Sequence, residues 1–211
     1  MRVLFLHNNY PAQFGSLAHY LAKRGHDVTF GTHWEGTPPK WLRMVRYKPH
    51  REVLKNQHPY LAFVEKAVLN GQGFARAAWK MKAAGYAPDV IVAHSGWGNG
   101  LYIRDVWPDA KYVGYFEWYY RSKGADVGFL DEASPDDEHR IRTRNAAILL
   151  DVEACNWGIV PTAYQASQFP ELLRRKLTVQ HAGVDTAYFA PQPGRRLKLP
   201  GLDLSHVDEL V

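Results

Sequence analysis

Arg2-Val3-Leu4-Phe5-Leu6-His7, then Leu17-Ala18-His19-Tyr20-Leu21-Ala22-Lys23-Arg24-Gly25, then Val28-Thr29-Phe30-Gly31 decide the fold. The first is a short apolar run bounded by polar residues, the pattern of a strand buried on both faces. In the second, Leu17, Ala18, Leu21 and Ala22 share one helical face. Lys23-Arg24 fall in its last turn and Gly25 at its stop, which is helix C-terminal chemistry. The third is again a short strand. Between the first two lies the turn-rich Asn8-Asn9-Tyr10-Pro11-Ala12-Gln13-Phe14-Gly15. Strand, loop, helix and strand in this order make one βαβ unit.

The same alternation continues outward. Further strands are expected at Met44–Tyr47, Asp89–His94, Lys111–Phe116, Trp157–Val160 and Leu177–Gln180. A helix is expected from Tyr60 to about Ala84, interrupted at Asn70-Gly71-Gln72-Gly73, and a shorter one ends near Val106. Another opens at Ser134-Pro135-Asp136-Asp137 with a Ser cap, Pro in the first turn and two carboxylates at the positive dipole end, and runs to about Glu153. A last helix spans about Ala163–Lys176. The pattern predicts an α/β, doubly wound parallel sheet with helices on both faces, Rossmann-like, over residues 1–191. Residues 192–211 read as a linker and the start of a further domain.

Composition narrows the classes. The 211 residues are 46% hydrophobic and 22% charged, ordinary for a globular chain. The longest apolar run, Ala146–Leu150, is far short of the roughly 20 residues of a membrane helix. A lone cysteine, Cys155, fits a reducing, cytoplasmic setting, and its place near a helix end predicts a buried, inert thiol. The net charge of +5 is spread, with no block of like charges, so a nucleic-acid arm is not expected. A phosphate-bearing ligand or the peripheral face of an anionic membrane remains compatible with it.

Ligands of open parallel sheets sit at the carboxyl ends of the strands. His7, Asn8, Asn9 and Gly15 follow the first strand; His94, Ser95 and Gly96-Trp97-Gly98-Asn99-Gly100 the fourth; Glu117-Trp118-Tyr119-Tyr120 the fifth; Pro161-Thr162 the sixth. Gly96-x-Gly98-x-Gly100 is not the dinucleotide fingerprint and follows the wrong strand, which weakens a nicotinamide or flavin oxidoreductase. It reads either as an anion-approach loop or as a tight turn. His94 reads either as a hydrogen-bonded structural residue or as a group at the ligand edge. Glu117, set among rings, is expected to be partly desolvated with a raised pKa; the alternative is a carboxylate paired with Arg121. The aromatic residues stack on sugars or fill the core. There is no metal-ligand spacing and no Gly-x-Ser-x-Gly elbow. Asp136-Asp137-Glu138-His139 reads as helix capping.

Several of these stretches resemble glycosyltransferase family 4. Val3–Pro11 through Leu21–Val28 is similar to the family's opening, and Pro88–His94 to its fourth strand ending in histidine. His181-Ala182-Gly183-Val184-Asp185-Thr186 with Phe189 and Pro191 resembles the signature closing its N-terminal domain, and Gly114–Tyr120 with Val160–Gln165 points to one subgroup. The resemblance implies the N-terminal half of a GT-B architecture: an acceptor-side domain of a retaining hexosyltransferase. Such an enzyme moves a sugar from a nucleotide-sugar donor to a glycan or lipid-linked acceptor, with no metal or other cofactor. It implies catalytic roles for Glu117 and His94, a donor-phosphate contact at Gly15, and acceptor or sugar contacts at Asn9, Trp97, Gly98, Trp118, Tyr119 and Thr162. The usual first-loop Gly-Gly is Phe14-Gly15 here, and Glu117 stands where many relatives carry histidine. The paired glutamates of the donor domain do not occur in residues 1–211, so the chain is expected to be inactive alone. A non-catalytic Rossmann-like ligand-binding module is the alternative.

Overall fold

A computed structural model of the chain describes residues 1–125, 127, 134–191 and 198–203. The chain divides into two compact units, Met1–His181 and Ala182–Val211. The first is a seven-stranded, all-parallel sheet: β1 (Arg2–Leu6), β2 (Asp27–Thr32), β3 (Arg43–Arg46), β4 (Val90–His94), β5 (Lys111–Tyr115), β6 (Trp157–Val160) and β7 (Leu177–Val179). Their spatial order is β3-β2-β1-β4-β5-β6-β7. This is the doubly wound, Rossmann-like arrangement that the strand–helix alternation predicts. The order reverses between β1 and β4, so the ends of these neighbours, where His7 and His94 lie, form the topological switch point.

The helices are α1 (Gly15–Lys23), α2 (Ala62–Ala83), α3 (Ile103–Val106), α4 (Pro135–Arg144), α5 (Ala146–Ala154), α6 (Ala163–Gln168) and α7 (Glu171–Arg174). One apolar layer, with Phe5, Phe14, Ala18 and Phe30, lies on the α1 face. The other, with Phe74, Ile103, Tyr112, Phe116, Ile148 and Val152, lies under α2, α3 and α5. In the second unit β8 (Lys198–Leu199) and β9 (Leu202–Asp203) pair antiparallel around Gly201 at φ +77°, and Asp185 Oδ1 accepts from the N–H groups of Ala187 and Tyr188. The expected linker lies largely outside the described residues. No helix among the described residues is long and apolar enough to cross a membrane.

Three expectations change. α2 is unbroken over 22 residues, because Gly71 and Gly73 serve packing rather than a turn. A Cβ on Gly71 would sit 2.7 Å from the Gly98 carbonyl oxygen, and one on Gly73 2.9 Å from that of Lys48. The loops after β3 and β4 thus rest directly on the helix, which offsets the propensity cost of glycine, about 1 kcal/mol each. The helix opening at Ser134 has its cap, with reciprocal Ser134–Asp137 bonds, but breaks at Asn145 into α4 and α5. There the buried Asn145 amide accepts from the N–H of Tyr120 at 2.8 Å and donates to its carbonyl at 2.9 Å. The helix after β6 is likewise two pieces, parted at Pro170.

The glycines make a contrast that unfolding can read. Gly98, at φ +88°, would place a Cβ 1.9 Å from the Ala67 carbonyl oxygen, whereas Gly85, at φ +83°, has open space. Gly85→Ala is expected to cost about 1 kcal/mol, the left-handed backbone alone. Gly98→Ala adds a backbone clash and is expected to cost at least about 3 kcal/mol, both measured by urea unfolding.

Candidate active site

The switch point opens into a cavity of about 560 Å³ lined by residues that include His7, Asn9, Gln13, His94, Trp97 and Glu117. His94 ends β4 with its side chain buried. Its Nδ1 lies 2.9 Å from the Ser95 carbonyl oxygen, a contact that needs the proton on Nδ1. Its Nε2 lies 3.1 Å from Glu117 Oε2, close enough for charge attraction though off the line of a hydrogen bond. Gln13 Nε2 donates to the other carboxylate oxygen, Oε1.

Glu117 therefore behaves opposite to the expectation of a raised pKa. The close approach of the His94 imidazole, followed by the Gln13 amide and His7, outweighs desolvation and holds the carboxyl below its usual range. It does not pair with Arg121, whose Nε donates to the Gln168 carbonyl oxygen. The backbone of Glu117 is also fixed: Gln165 Nε2 donates to its carbonyl oxygen at 2.9 Å. Gln165 is in turn held by Thr162, which accepts from its N–H at 3.1 Å and donates to Oε1 at 2.8 Å.

His7 is the neutral partner. Its Nδ1 accepts from the Asn9 N–H at 2.9 Å, and its ring meets that of His94 edge-on with centroids 4.9 Å apart. Burial, followed by repulsion from His94, pushes it down to about 4. Beneath the β4 loop lies the fully buried Asp151 of α5, which accepts from Ser95 Oγ at 2.8 Å, the Gly96 N–H at 3.2 Å and the Tyr112 hydroxyl at 3.0 Å. Burial outweighs these donors and pushes it up to about 6.

Of the residues named from sequence, Asn9, His94, Trp97 and Glu117 meet at this cavity. Trp118 lines a smaller, adjoining one with Phe63, Tyr120 and Ile148. The others stand apart from the cavity wall. Gly98 is buried against α2, so the Gly96–Gly100 loop is a tight packed turn. Tyr119 packs on Phe169, and Thr162 caps α6. Gly15 opens α1, where a Cβ would meet Pro11 Cβ at 2.4 Å. Cys155 is buried, as expected. Among the described residues no group of three or more His, Cys, Asp or Glu is placed to hold a metal ion.

Sequence reasoning missed Gln13, Gln165 and Asp151. For Asp151 a signal existed: it shares a helical face with the apolar Ile148 and Val152, where a carboxylate must be buried and bonded.

Residues 24–189 match the family model described as glycosyl transferase family 4 group. Over 94 residues the chain is 27% identical to NLP effector protein 3 of Phytophthora capsici, a match covering 44% of this chain and 36% of that protein. Three solved structures are similar in fold. A sucrose-phosphate synthase chain of Thermosynechococcus elongatus has a TM-score of 0.55 at 14% identity, covering 90% of this chain and 93% of that one. A UDP-glucosyltransferase of Polygonum tinctorium has a TM-score of 0.55 at 8% identity, over 92% and 54%. The catalytic domain of starch synthase IV of Arabidopsis thaliana has a TM-score of 0.51 at 14% identity, over 90% and 53%. The chain thus spans about half the length of the last two and about a third of the first-named protein.

The two perturbed groups predict opposing pH slopes. Native Asp151 binds its proton near pH 6 and the unfolded chain near 3.8, so its contribution falls as pH rises through that window. Native His7 stays neutral down to about 4 while the unfolded chain protonates near 6.5, so its contribution falls as pH drops. Each amounts to about 3 kcal/mol at most, less for His7, whose ring lines the open cavity. Asp151→Asn is expected to unmask the His7 slope, making stability drop more steeply from pH 6.5 to 4.5 than in the wild type. Urea unfolding across that range measures it.

Proposed function

This chain belongs to the glycosyl transferase family 4 group, and on that premise we propose that it forms the acceptor side of a retaining, nucleotide-sugar-dependent hexosyltransferase. The observation that carries this reading is the anchored carboxylate of Glu117 at the rim of the switch-point cavity, held by His94 and Gln13. In this reading a hydroxyl of a glycan or lipid-linked acceptor enters the cavity beside Trp97. The bond from its oxygen to the anomeric carbon forms as the bond from that carbon to the nucleotide diphosphate breaks, and the hydroxyl proton passes to the departing diphosphate oxygen.

Glu117, ionised at neutral pH, accepts hydrogen bonds from the transferred sugar or the acceptor hydroxyl and orients them; it is not a proton donor. His94, 3.1 Å from that carboxylate, fixes its position. In this reading the donor diphosphate approaches the start of α1, at Gly15. The donor itself is bound mainly by a second Rossmann-like domain joined through residues 192–211, and residues 1–211 alone turn over no donor. The lone buried cysteine supports a reducing, cytoplasmic setting. The charge of +5 supports peripheral contact with an anionic membrane bearing lipid-linked acceptors.

Glu117→Gln in the complete two-domain enzyme keeps the Gln13 and His94 neighbourhood but removes the charge. It is expected to lower kcat about a hundred-fold with KM for the donor changed little, since the contact strengthens in the transition state. Wild-type turnover in this variant removes Glu117 from the role, and inverted anomeric configuration in the product, read by NMR, overturns the retaining course. Binding of a nucleotide-sugar with no transfer to any acceptor would favour the non-catalytic module.

A further inference from the structure

Beyond Trp97 the cavity leads away from Glu117 along aromatic walls. A small adjoining cavity of about 80 Å³ shares His94, Trp97 and Glu117 with it and adds Phe63, Trp118 and Tyr120. Phe63 in turn borders a third cavity, of about 310 Å³, with Pro59, Tyr60, Ala62, Arg140, Ile141 and Arg144. The three adjoin, from the carboxylate to the last turn of α4.

Arg144 is the singular group there. Its guanidinium lies over two rings, 4.4 Å from the centroid of Phe63 and 4.1 Å from that of Tyr120. It forms no ion pair or hydrogen bond among the described residues, and its Nε is buried with no acceptor. The other polar side chains bordering this third cavity have partners: Arg140 donates to Asp137 Oδ1 at 2.6 Å, and the Tyr60 hydroxyl donates to Asp136. A half-buried guanidinium with unmet N–H groups attracts a planar or tetrahedral oxyanion, which its fork can hold through two parallel bonds. The aromatic corner, in which the Phe63 and Tyr120 rings meet edge-on with centroids 6.4 Å apart, is also built in advance, because Asn145 pins both backbone groups of Tyr120.

We propose that Arg144, seated in the corner formed by the Phe63 and Tyr120 rings, binds a carboxylate or phosphate carried by the acceptor, making this an anionic-acceptor subsite. The acceptor's reacting hydroxyl then lies at Glu117 and its anionic group at the far end of the aromatic wall, with Trp97 and Trp118 between them. Calling the ligand an acceptor rests on the transferase reading; the binding itself does not.

Residues 1–211 carry the whole subsite, so binding is measured by calorimetry without donor or turnover. The probes are tetragalacturonate, its methyl ester, and dodecyl phosphate. The expected result is that an anionic probe binds, that the neutral ester binds about ten-fold or more weakly, and that Arg144→Met loses a similar factor for the anion alone. Preference for tetragalacturonate assigns an acidic glycan, and preference for dodecyl phosphate a lipid-linked phosphate. Equal affinity for acid and ester, binding of neither anion, or an Arg144→Met chain that binds the anion like wild type overturns the proposal. The acid-to-ester comparison needs no variant, so it decides the matter even where Arg144→Met lowers the unfolding midpoint. Failure here alongside transfer to a neutral acceptor by the complete enzyme would refute the subsite and leave the transferase reading standing.

Discussion

A single carboxylate inside the core fixes the geometry on which the site depends. Asp151 is fully buried, and its three donors come from three places: the Ser95 hydroxyl, the Gly96 amide and the Tyr112 phenol. It thereby ties helix α5 to strand β5 and to the turn that leaves β4. An uncompensated charge in the interior costs several kcal/mol, so removing any one donor is felt by the other two. The position of His94, one residue before that turn, is set from beneath by this knot rather than from the solvent side.

Above the knot, electrostatics sort two histidines that sit almost in contact. Both are buried at adjacent strand ends, and their rings are too close for both to carry charge comfortably. Burial, followed by repulsion from His94, keeps His7 neutral, whereas the carboxylate of Glu117 lies against His94. One ring is thus a neutral wall of the cavity, and the other faces the carboxylate. Glu117 is braced on both sides of its chain, the side chain by Gln13 and His94 and the backbone by Gln165. A carboxylate held this way is ready to receive hydrogen bonds without first reorganising, which is the condition under which electrostatic groups act best in a reaction.

The fold was legible because a parallel sheet writes its strands as short apolar runs with punctuation between them. Val3–Leu6, Val90–Ala93 and Trp157–Val160 could scarcely be anything else. The errors have one physical source: residues chosen for distant packing look like local signals. Gly71 and Gly73 read as a helix break, yet they exist so that two loops can touch α2. Asn145 read as an ordinary helical position, yet it ends α4 to hold Tyr120. In the site, His94, Trp97, Asn9 and Glu117 were found by the rule that ligands sit at strand ends. The pKa of Glu117 was misjudged because desolvation can be inferred from apolar neighbours in sequence, whereas a histidine from another strand and a glutamine from another loop cannot. Thr162, expected at the acceptor, lines neither of the two adjoining cavities; it caps α6 and bonds Gln165, which in turn holds the Glu117 carbonyl.

The two margins of the sheet are not alike. β3 is a charged margin, Arg43-Met44-Val45-Arg46, with a guanidinium at each end. β7 is Leu177-Thr178-Val179, short and uncharged, with Val179 half exposed at its end. A row of unmet N–H and C=O groups without charge is a template for another strand, and charged side chains are the usual defence. The β7 margin therefore carries fewer of the usual defences against pairing with a further strand than the β3 margin does.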